Sequence, residues 1–138
     1  MSQEFKILSQ FVKDMSSETP NVETYLYVKE YLKNYNLNID ITTKPLKSRM
    51  IEVSTKLSYS DKGKSKNKSY FEITYASIVK IDEQIKDRKI IEKIILCDVQ
   101  KEIYPNLEKV FINLLSNSGF TGIKFEKKVD FEKLYNEK

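Results

Sequence analysis

The chain has 138 residues, of which 40% are hydrophobic and 32% are charged, and its formal net charge at pH 7 is +4. This composition is typical of a globular protein, is too apolar for a disordered one, and predicts a single domain spanning residues 1–138. The sequence contains no histidine and one cysteine, Cys97. An internal disulfide and the usual zinc sites are therefore excluded, and we expect no metal and no cofactor.

The sequence also argues against catalysis and membrane insertion. The three glycines, Gly63, Gly119 and Gly122, form no phosphate-binding loop. No apolar run approaches the roughly 18 residues of a membrane span, and Met1 to Gln10 lacks the apolar centre of a secretory signal. We therefore expect a cytoplasmic protein that is not an enzyme and has no catalytic residues.

The first third of the chain predicts two strands with a connection between them. Ile7 to Glu18 alternates partly between apolar and polar residues and predicts a strand, which ends before Pro20 because proline cannot donate to a sheet ladder. Val22 to Tyr35 is rich in tyrosine and fits either an amphipathic helix over residues 22–33 or an irregular crossover. Alternation over residues 37–45 predicts a second strand that a proline ends.

The longest period-two pattern runs from Met50 to Ile81 and predicts a long antiparallel hairpin. Its turn is the polar segment from Asp61 to Ser69. The return strand begins at Tyr70, and its predicted inner face consists of Phe71, Ile73, Tyr75, Val79 and Ile81. A hairpin alone is marginally stable in water, so other elements must cover this apolar face.

The second half of the chain predicts helices. Isoleucines between Ile85 and Ile95 predict a short helix, and Val129 to Tyr135 predicts a short final one. Pro105 to Ser116 is the clearest helix, because apolar residues recur at helical spacing, proline suits the first turn, and Gly119 suits the C-terminal stop. Together the elements predict an α+β fold, a four-stranded antiparallel sheet with C-terminal helices.

Three segments resemble the SecB family of bacterial protein-export chaperones. Residues 12–21 are similar to a family strand that ends in Glu-x-Pro-Asn, and residues 70–78 resemble the family's fourth strand. Residues 104–120, followed by Val129 to Tyr135, resemble the closing helices. The resemblance covers nearly the whole chain. It implies a homotetramer, a dimer of dimers, that binds unfolded preproteins without ATP and delivers them to the SecA motor.

The resemblance also implies site residues. A contact with SecA would fall on Asp14, Glu18 and Glu72, with Tyr70 beside them, because acidic groups on one sheet face attract a basic partner surface. Client-binding candidates are Phe11, Tyr25, Tyr27, Tyr31, Phe125, Phe131 and Tyr135. Each of these is equally compatible with a place in the core. The candidate oligomer interface consists of Phe71, Ile73, Tyr75, Leu107, Phe111 and Leu114.

Two other functions fit the residues. The first is a SecB-like chaperone of a toxin–antitoxin system, which is favoured because the chain ends at Asn136, Glu137 and Lys138 where the family has an acidic tail. The second is a nucleic-acid-binding module that uses the lysines of the hairpin turn, Lys62, Lys64, Lys66 and Lys68. We favour a solvated turn, and no nucleic-acid partner, because no recognition motif accompanies these lysines.

Overall fold

The described residues of the computed structural model are 4–61, 63, 68–125 and 129–136, and they form four strands and four α-helices. In chain order these are β1 (Phe5–Glu18), α1 (Val22–Glu30), β2 (Tyr35–Pro45), β3 (Met50–Asp61), β4 (Tyr70–Ile81), α2 (Arg88–Lys93), α3 (Val99–Asn117) and α4 (Phe131–Asn136). A 3-10 turn, Leu32–Asn34, leads into β2, and a π-helical segment, Ile94–Asp98, joins α2 to α3. The predicted α+β class is confirmed.

The strands form one antiparallel sheet in the order β1-β4-β3-β2. β3 and β4 make the predicted hairpin, in which Leu57 lies opposite Ile73. β1 pairs with the other side of β4, and its register shifts between Ile7 and Ser9 and again between Val12 and Asp14. Such shifts are β-bulges, which rotate the following side chains relative to the partner strand. β1 and β2 are therefore the two edges of the sheet.

The core lies between α3 and one face of the sheet, which we call the inner face. Leu107, Phe111 and Leu115 recur at helical spacing on α3 and are fully buried. They belong to the same hydrophobic cluster as Phe71 and Ile73 of β4. Burial of each large apolar side chain contributes about 1.5 to 3 kcal/mol, so this contact dominates the stability of the fold.

α3 begins earlier than the sequence predicts. Pro105 was expected in the first turn, but it lies inside the helix. An interior proline removes one backbone hydrogen bond and crowds the preceding turn, which costs about 3 kcal/mol. Val99 and Ile103, upstream of the proline, are fully buried, and their burial offsets this cost. Gln100 is buried as well, and its side-chain oxygen accepts a hydrogen bond from Thr55 Oγ1 at 2.8 Å.

The connection between β1 and β2 contains a helix, which settles the alternative left open by the sequence. α1 is capped by Asn21, whose Oδ1 accepts from the backbone N–H of Thr24 at 2.8 Å, and the helix ends at Glu30. Tyr25 docks it on the end of α3: its hydroxyl donates to the Gly119 carbonyl at 2.8 Å, and its ring centroid lies 5.2 Å from that of Phe120.

Gly119 ends α3, as predicted from its place after the apolar stripe. Its φ is +99°, and the N–H of Phe120 donates to the Leu115 carbonyl at 2.9 Å while that of Gly119 donates to Ser116 at 3.1 Å. These two bonds form a Schellman motif, which requires a left-handed residue at the position of Gly119.

Gly119→Ala is expected to destabilise the fold more than Gly122→Ala. Both glycines have positive φ, +99° and +77°, so alanine at either site carries backbone strain of about 1 to 3 kcal/mol. A Cβ at position 119 would also lie 2.6 Å from Cε1 of Tyr25, whereas at position 122 it would meet nothing within 4 Å. Urea unfolding of the two variants measures the difference, and equal losses of stability would contradict the close packing of Tyr25 on Gly119.

Candidate functional site

The face of the sheet that points away from α3, the outer face, carries the four residues implied for a SecA contact. Alternation along β4 places Tyr70 and Glu72 opposite to the buried Phe71. Glu18 lies opposite Tyr70 in the register, and Asp14 lies opposite Thr74. Directly paired residues of antiparallel strands point to the same side, so all four share this face. We call Asp14, Glu18, Tyr70 and Glu72 the acidic patch.

Glu72, a member of the acidic patch, interacts with two neighbouring side chains. The Tyr70 hydroxyl donates a hydrogen bond to its carboxylate, and Lys56 Nζ lies 3.0 Å from its other oxygen. The hydrogen bond from Tyr70, followed by the interaction with Lys56, holds the pKa of Glu72 below its usual value, so the carboxyl group stays ionised. Among the described residues Asp14 and Glu18 form no ion pair, so they supply the uncompensated negative charge of the patch.

Strand β1 carries exposed apolar side chains along the sheet edge. Leu8, Phe11, Val12 and Met15 are 46%, 43%, 41% and 46% exposed, and we call them the apolar edge. They occupy both faces, since Phe11 lies opposite Ala76 and Val12 lies opposite Tyr75. A long edge strand with unpaired backbone groups and apolar side chains is a template for pairing with another chain. Phe11 is the one member of this set that the sequence predicts to bind clients.

Two grooves flank the helical layer. The α2 groove, of about 420 Å³, lies between α2 with the π-helical segment and strands β2 and β3, and its apolar walls are Ile41, Ile51, Ile91, Ile95 and Leu96. The α3 groove, of about 530 Å³, lies between α3 and the segment that leads to α4. Its lining is Lys101, Tyr104, Pro105, Glu108, Phe125, Val129 and Phe131. Both combine apolar walls with a few charged groups, as ligand pockets usually do.

Two of the predicted client-binding residues line the α3 groove. Phe131 is buried, and its ring centroid lies 5.4 Å from that of Tyr104. Phe125 is partly exposed, and its ring lies 5.6 Å from Tyr59 and 6.2 Å from Phe111. Phe125 and Phe131 thus pack against core residues on one side and line the α3 groove on the other.

The remaining client-binding candidates lie elsewhere. Tyr27 and Tyr31 form a ring pair on and just after α1, with centroids 4.6 Å apart, while Tyr25 is engaged with Gly119. Tyr135 is partly exposed on α4, and Phe11 belongs to the apolar edge. The structure therefore distributes the predicted residues over four places, namely the α3 groove, α1, α4 and the apolar edge, rather than one groove.

The candidate oligomer interface needs a correction. Phe71, Ile73, Leu107 and Phe111 are fully buried within one subunit and Tyr75 nearly so, which leaves Leu114 as the partly exposed member of the set. A side chain without exposed surface cannot contact a second copy. These residues form the inner-face core, and the apolar edge is the better candidate for association.

The other predictions concern the hairpin turn and bound metals. Lys62, Lys64 and Lys66 lie outside the described residues, and Tyr59 at the start of the turn is buried. In the described part of the chain, no group of histidine, cysteine or acidic residues could hold a metal ion. Within the same residues, no helix is both long and apolar enough to cross a membrane.

Comparison with known proteins establishes the family. The family model SecB, preprotein translocase subunit SecB, matches residues 1–138. The chain belongs to the SecB family. It is 54% identical over 138 residues to the putative protein-export protein SecB of Pelagibacter ubique, covering 100% of this chain and 99% of the relative. The protein-export protein SecB of Parvibaculum lavamentivorans is 25% identical over 138 residues, covering 98% and 79% respectively.

A solved structure has the same fold. The SecB-like chaperone of Mycobacterium tuberculosis, in complex with a ChAD peptide from the HigA1 antitoxin, matches with a TM-score of 0.65 over 91% of both chains and 8% sequence identity. At that identity the likeness shows the fold alone. The family and the names of the relatives identify this chain as a protein-export chaperone of the SecB family.

Proposed function

We propose that this protein binds unfolded preproteins in the cytoplasm, holds them competent for translocation without ATP, and delivers them to SecA. The observation that carries the proposal is the amount of apolar surface left open by the subunit. Besides the apolar edge and the two grooves, Val22 and Leu26 on α1 are 69% and 59% exposed. Exposed apolar side chains gathered along one strand, together with apolar grooves, are typical of a binding surface.

Such a surface suits clients that share no sequence. Apolar burial has no direction, so a groove with aliphatic and aromatic walls accepts many side chains when the client chain is extended. A folded protein has already buried its own apolar residues and offers little to bind. Selective binding of unfolded preproteins therefore requires neither a nucleotide nor a covalent reaction.

The chaperone is expected to slow the refolding of a urea-unfolded preprotein in the absence of ATP. Bound apolar segments are withheld from the client's own core, so the refolding rate falls as chaperone is added. The chain contains no tryptophan, so the tryptophan fluorescence of the client reports refolding without background. The matched control is the same preprotein already folded, whose signal should not change. An unchanged refolding rate at excess chaperone would rule out the holding function.

We further propose a homotetramer, a dimer of dimers, in which the apolar edges of two subunits meet. Pairing of β1 with another β1 would satisfy the backbone groups that an edge strand leaves open. It would also bury Leu8, Phe11, Val12 and Met15. Without a partner, these four apolar side chains on one exposed strand are an aggregation hazard.

Val12→Lys combined with Met15→Lys is expected to dissociate the assembly, because burial of two charges at the paired edge is strongly unfavourable. Light scattering should give four subunit masses for the wild type and a lower mass for the variant. Leu26→Lys, the same change at an exposed residue of α1 outside the edge, is the control and should keep the wild-type mass. A wild-type mass of one subunit would contradict the assembly.

We propose the acidic patch as the contact with SecA. Charges at a binding surface steer encounter and set register, and Asp14 and Glu18 carry charge that no described neighbour neutralises. Glu72 already interacts with Lys56 and Tyr70, so a partner gains less from its charge. Asp14 and Glu18 should therefore contribute more than Glu72.

Asp14→Lys combined with Glu18→Lys is expected to weaken SecA binding by about tenfold or more at low salt, because like charges then face each other. Raising the salt concentration should weaken wild-type binding as well, through screening. Glu23→Lys with Glu30→Lys, the same charge change on α1, is the control. Equal losses in both double variants would mean that only net charge matters. Absence of SecA binding by the wild type would favour the toxin–antitoxin role.

A further inference from the structure

A bulge in β1 places two consecutive residues on the outer face of the sheet. The register of β1 shifts between Val12 and Asp14, so Lys13 is the extra residue at this point. Lys13 and Asp14 both line a depression of about 370 Å³ on the outer face. In a regular strand, two consecutive side chains would point to opposite faces. The bulge therefore brings a lysine to the same face as Asp14, which belongs to the acidic patch.

The ammonium group of Lys13 bonds to a different strand. Its Nζ donates a hydrogen bond to Oε2 of Glu52 on β3, at 2.7 Å. Strand β4 separates β1 from β3, and the outward residue of β4 between the two partners is Ala76, whose small side chain leaves the path across the sheet open. Among the described residues, Asp14 forms no ion pair. The Lys13 side chain thus extends across β4 rather than to the adjacent carboxylate.

Glu52 is a good acceptor for this ammonium group. Its side chain is 21% exposed, so solvent reaches the carboxylate only in part. The hydrogen bond from Lys13 is the main reason that the pKa of Glu52 lies below its usual value, and Glu52 therefore stays ionised at neutral pH. Without Glu52, the Lys13 ammonium group would lose this partner. The carboxylate of the adjacent Asp14, on the same face, would then be available to it.

The second lysine of the depression is paired in the same way. Lys56 also lines the depression, and its Nζ lies 3.0 Å from Oε1 of Glu72. Each of the two lysines is thus paired with a glutamate that does not line the depression. The two aspartates that do line it, Asp14 and Asp40, form no ion pair with any described residue. The pairing of the lysines therefore leaves the aspartate charges uncompensated.

We propose that Glu52 is a positioning residue for the contact with SecA: it holds the Lys13 ammonium group away from Asp14 and so keeps the Asp14 charge free for a basic partner surface. The inference rests on the proposed SecA contact. A carboxylate that is already neutralised by a neighbouring lysine attracts a basic surface less strongly. Glu52 thus acts on SecA binding through Lys13 and does not itself need to touch SecA.

The test compares the effect of Glu52→Gln in the wild-type chain with its effect in a chain that carries Lys13→Met. Glutamine keeps the shape of the Glu52 side chain without its charge, and methionine keeps an apolar stem without the ammonium group. The matched control is Glu132→Gln, which breaks another exposed ion pair, that of Lys101 with Glu132 at 2.8 Å in the helical layer. Isothermal titration calorimetry at low salt gives the Kd for purified SecA, and thermal unfolding gives the Tm of each variant.

Glu52→Gln should raise the Kd for SecA about twofold to fivefold, the range of one exposed charge interaction, because Lys13 then neutralises Asp14. Lys13→Met alone should leave the Kd equal to or below that of the wild type. In the chain with Lys13→Met, adding Glu52→Gln should not raise the Kd, since no ammonium group remains to move. Glu132→Gln should not change the Kd. The Tm should change little in all variants, because exposed ion pairs contribute little to stability.

An equal rise in Kd in both chains would mean that Glu52 acts by its own charge, and an unchanged Kd in Glu52→Gln would mean that Lys13 does not neutralise Asp14. Either result overturns the inference alone, as does a loss of binding that follows a large fall in Tm. A wild type that does not bind SecA, or an Asp14→Asn variant that binds as tightly as the wild type, overturns the proposed contact and the inference with it.

Discussion

The packing of α3 on the inner face of the sheet is the contact on which the other surfaces depend. A helix is about 10 Å wide, whereas four strands at about 4.8 Å spacing extend further and twist away from it. α3 therefore covers the middle strands and leaves β1 partly open, so Val12 and Met15 remain exposed although they point to the inner side. The exposure of Val12 and Met15, the inner-side members of the apolar edge, is thus a geometric consequence of covering this sheet with one long helix.

Elements with a strong local pattern were predictable from the sequence. Alternation located the strands, and Gly119 marked the end of α3 because one backbone conformation demands it. The start of α3 was not predictable, since the local rule for Pro105 competes with burial of Val99 and Ile103, which depends on the assembled sheet. α1 stayed ambiguous because two of its three aliphatic residues, Val22 and Leu26, point to solvent.

The candidate site likewise combines features that follow from the local sequence pattern with features that depend on the assembled structure. The shared face of Asp14 and Glu72 follows from period-two alternation and strand pairing. The sequence identified Phe71 and Phe111 as apolar contact residues. It could not distinguish a place in the core from a place at a subunit interface, because both consist of large apolar side chains. The apolar edge was missed because two bulges in β1 break its alternation.

The chain has a net charge of +4, yet its acidic patch is proposed to attract a basic partner surface. At physiological salt, charges more than about 8 Å away are largely screened, so a partner at the acidic patch responds to Asp14 and Glu18 more than to distant lysines. The patch lies on the outer face, whereas the α3 groove lies on the helical side of the sheet. On the proposal that clients bind in the α3 groove and SecA binds at the acidic patch, the two partners would lie on opposite sides of the sheet of one subunit.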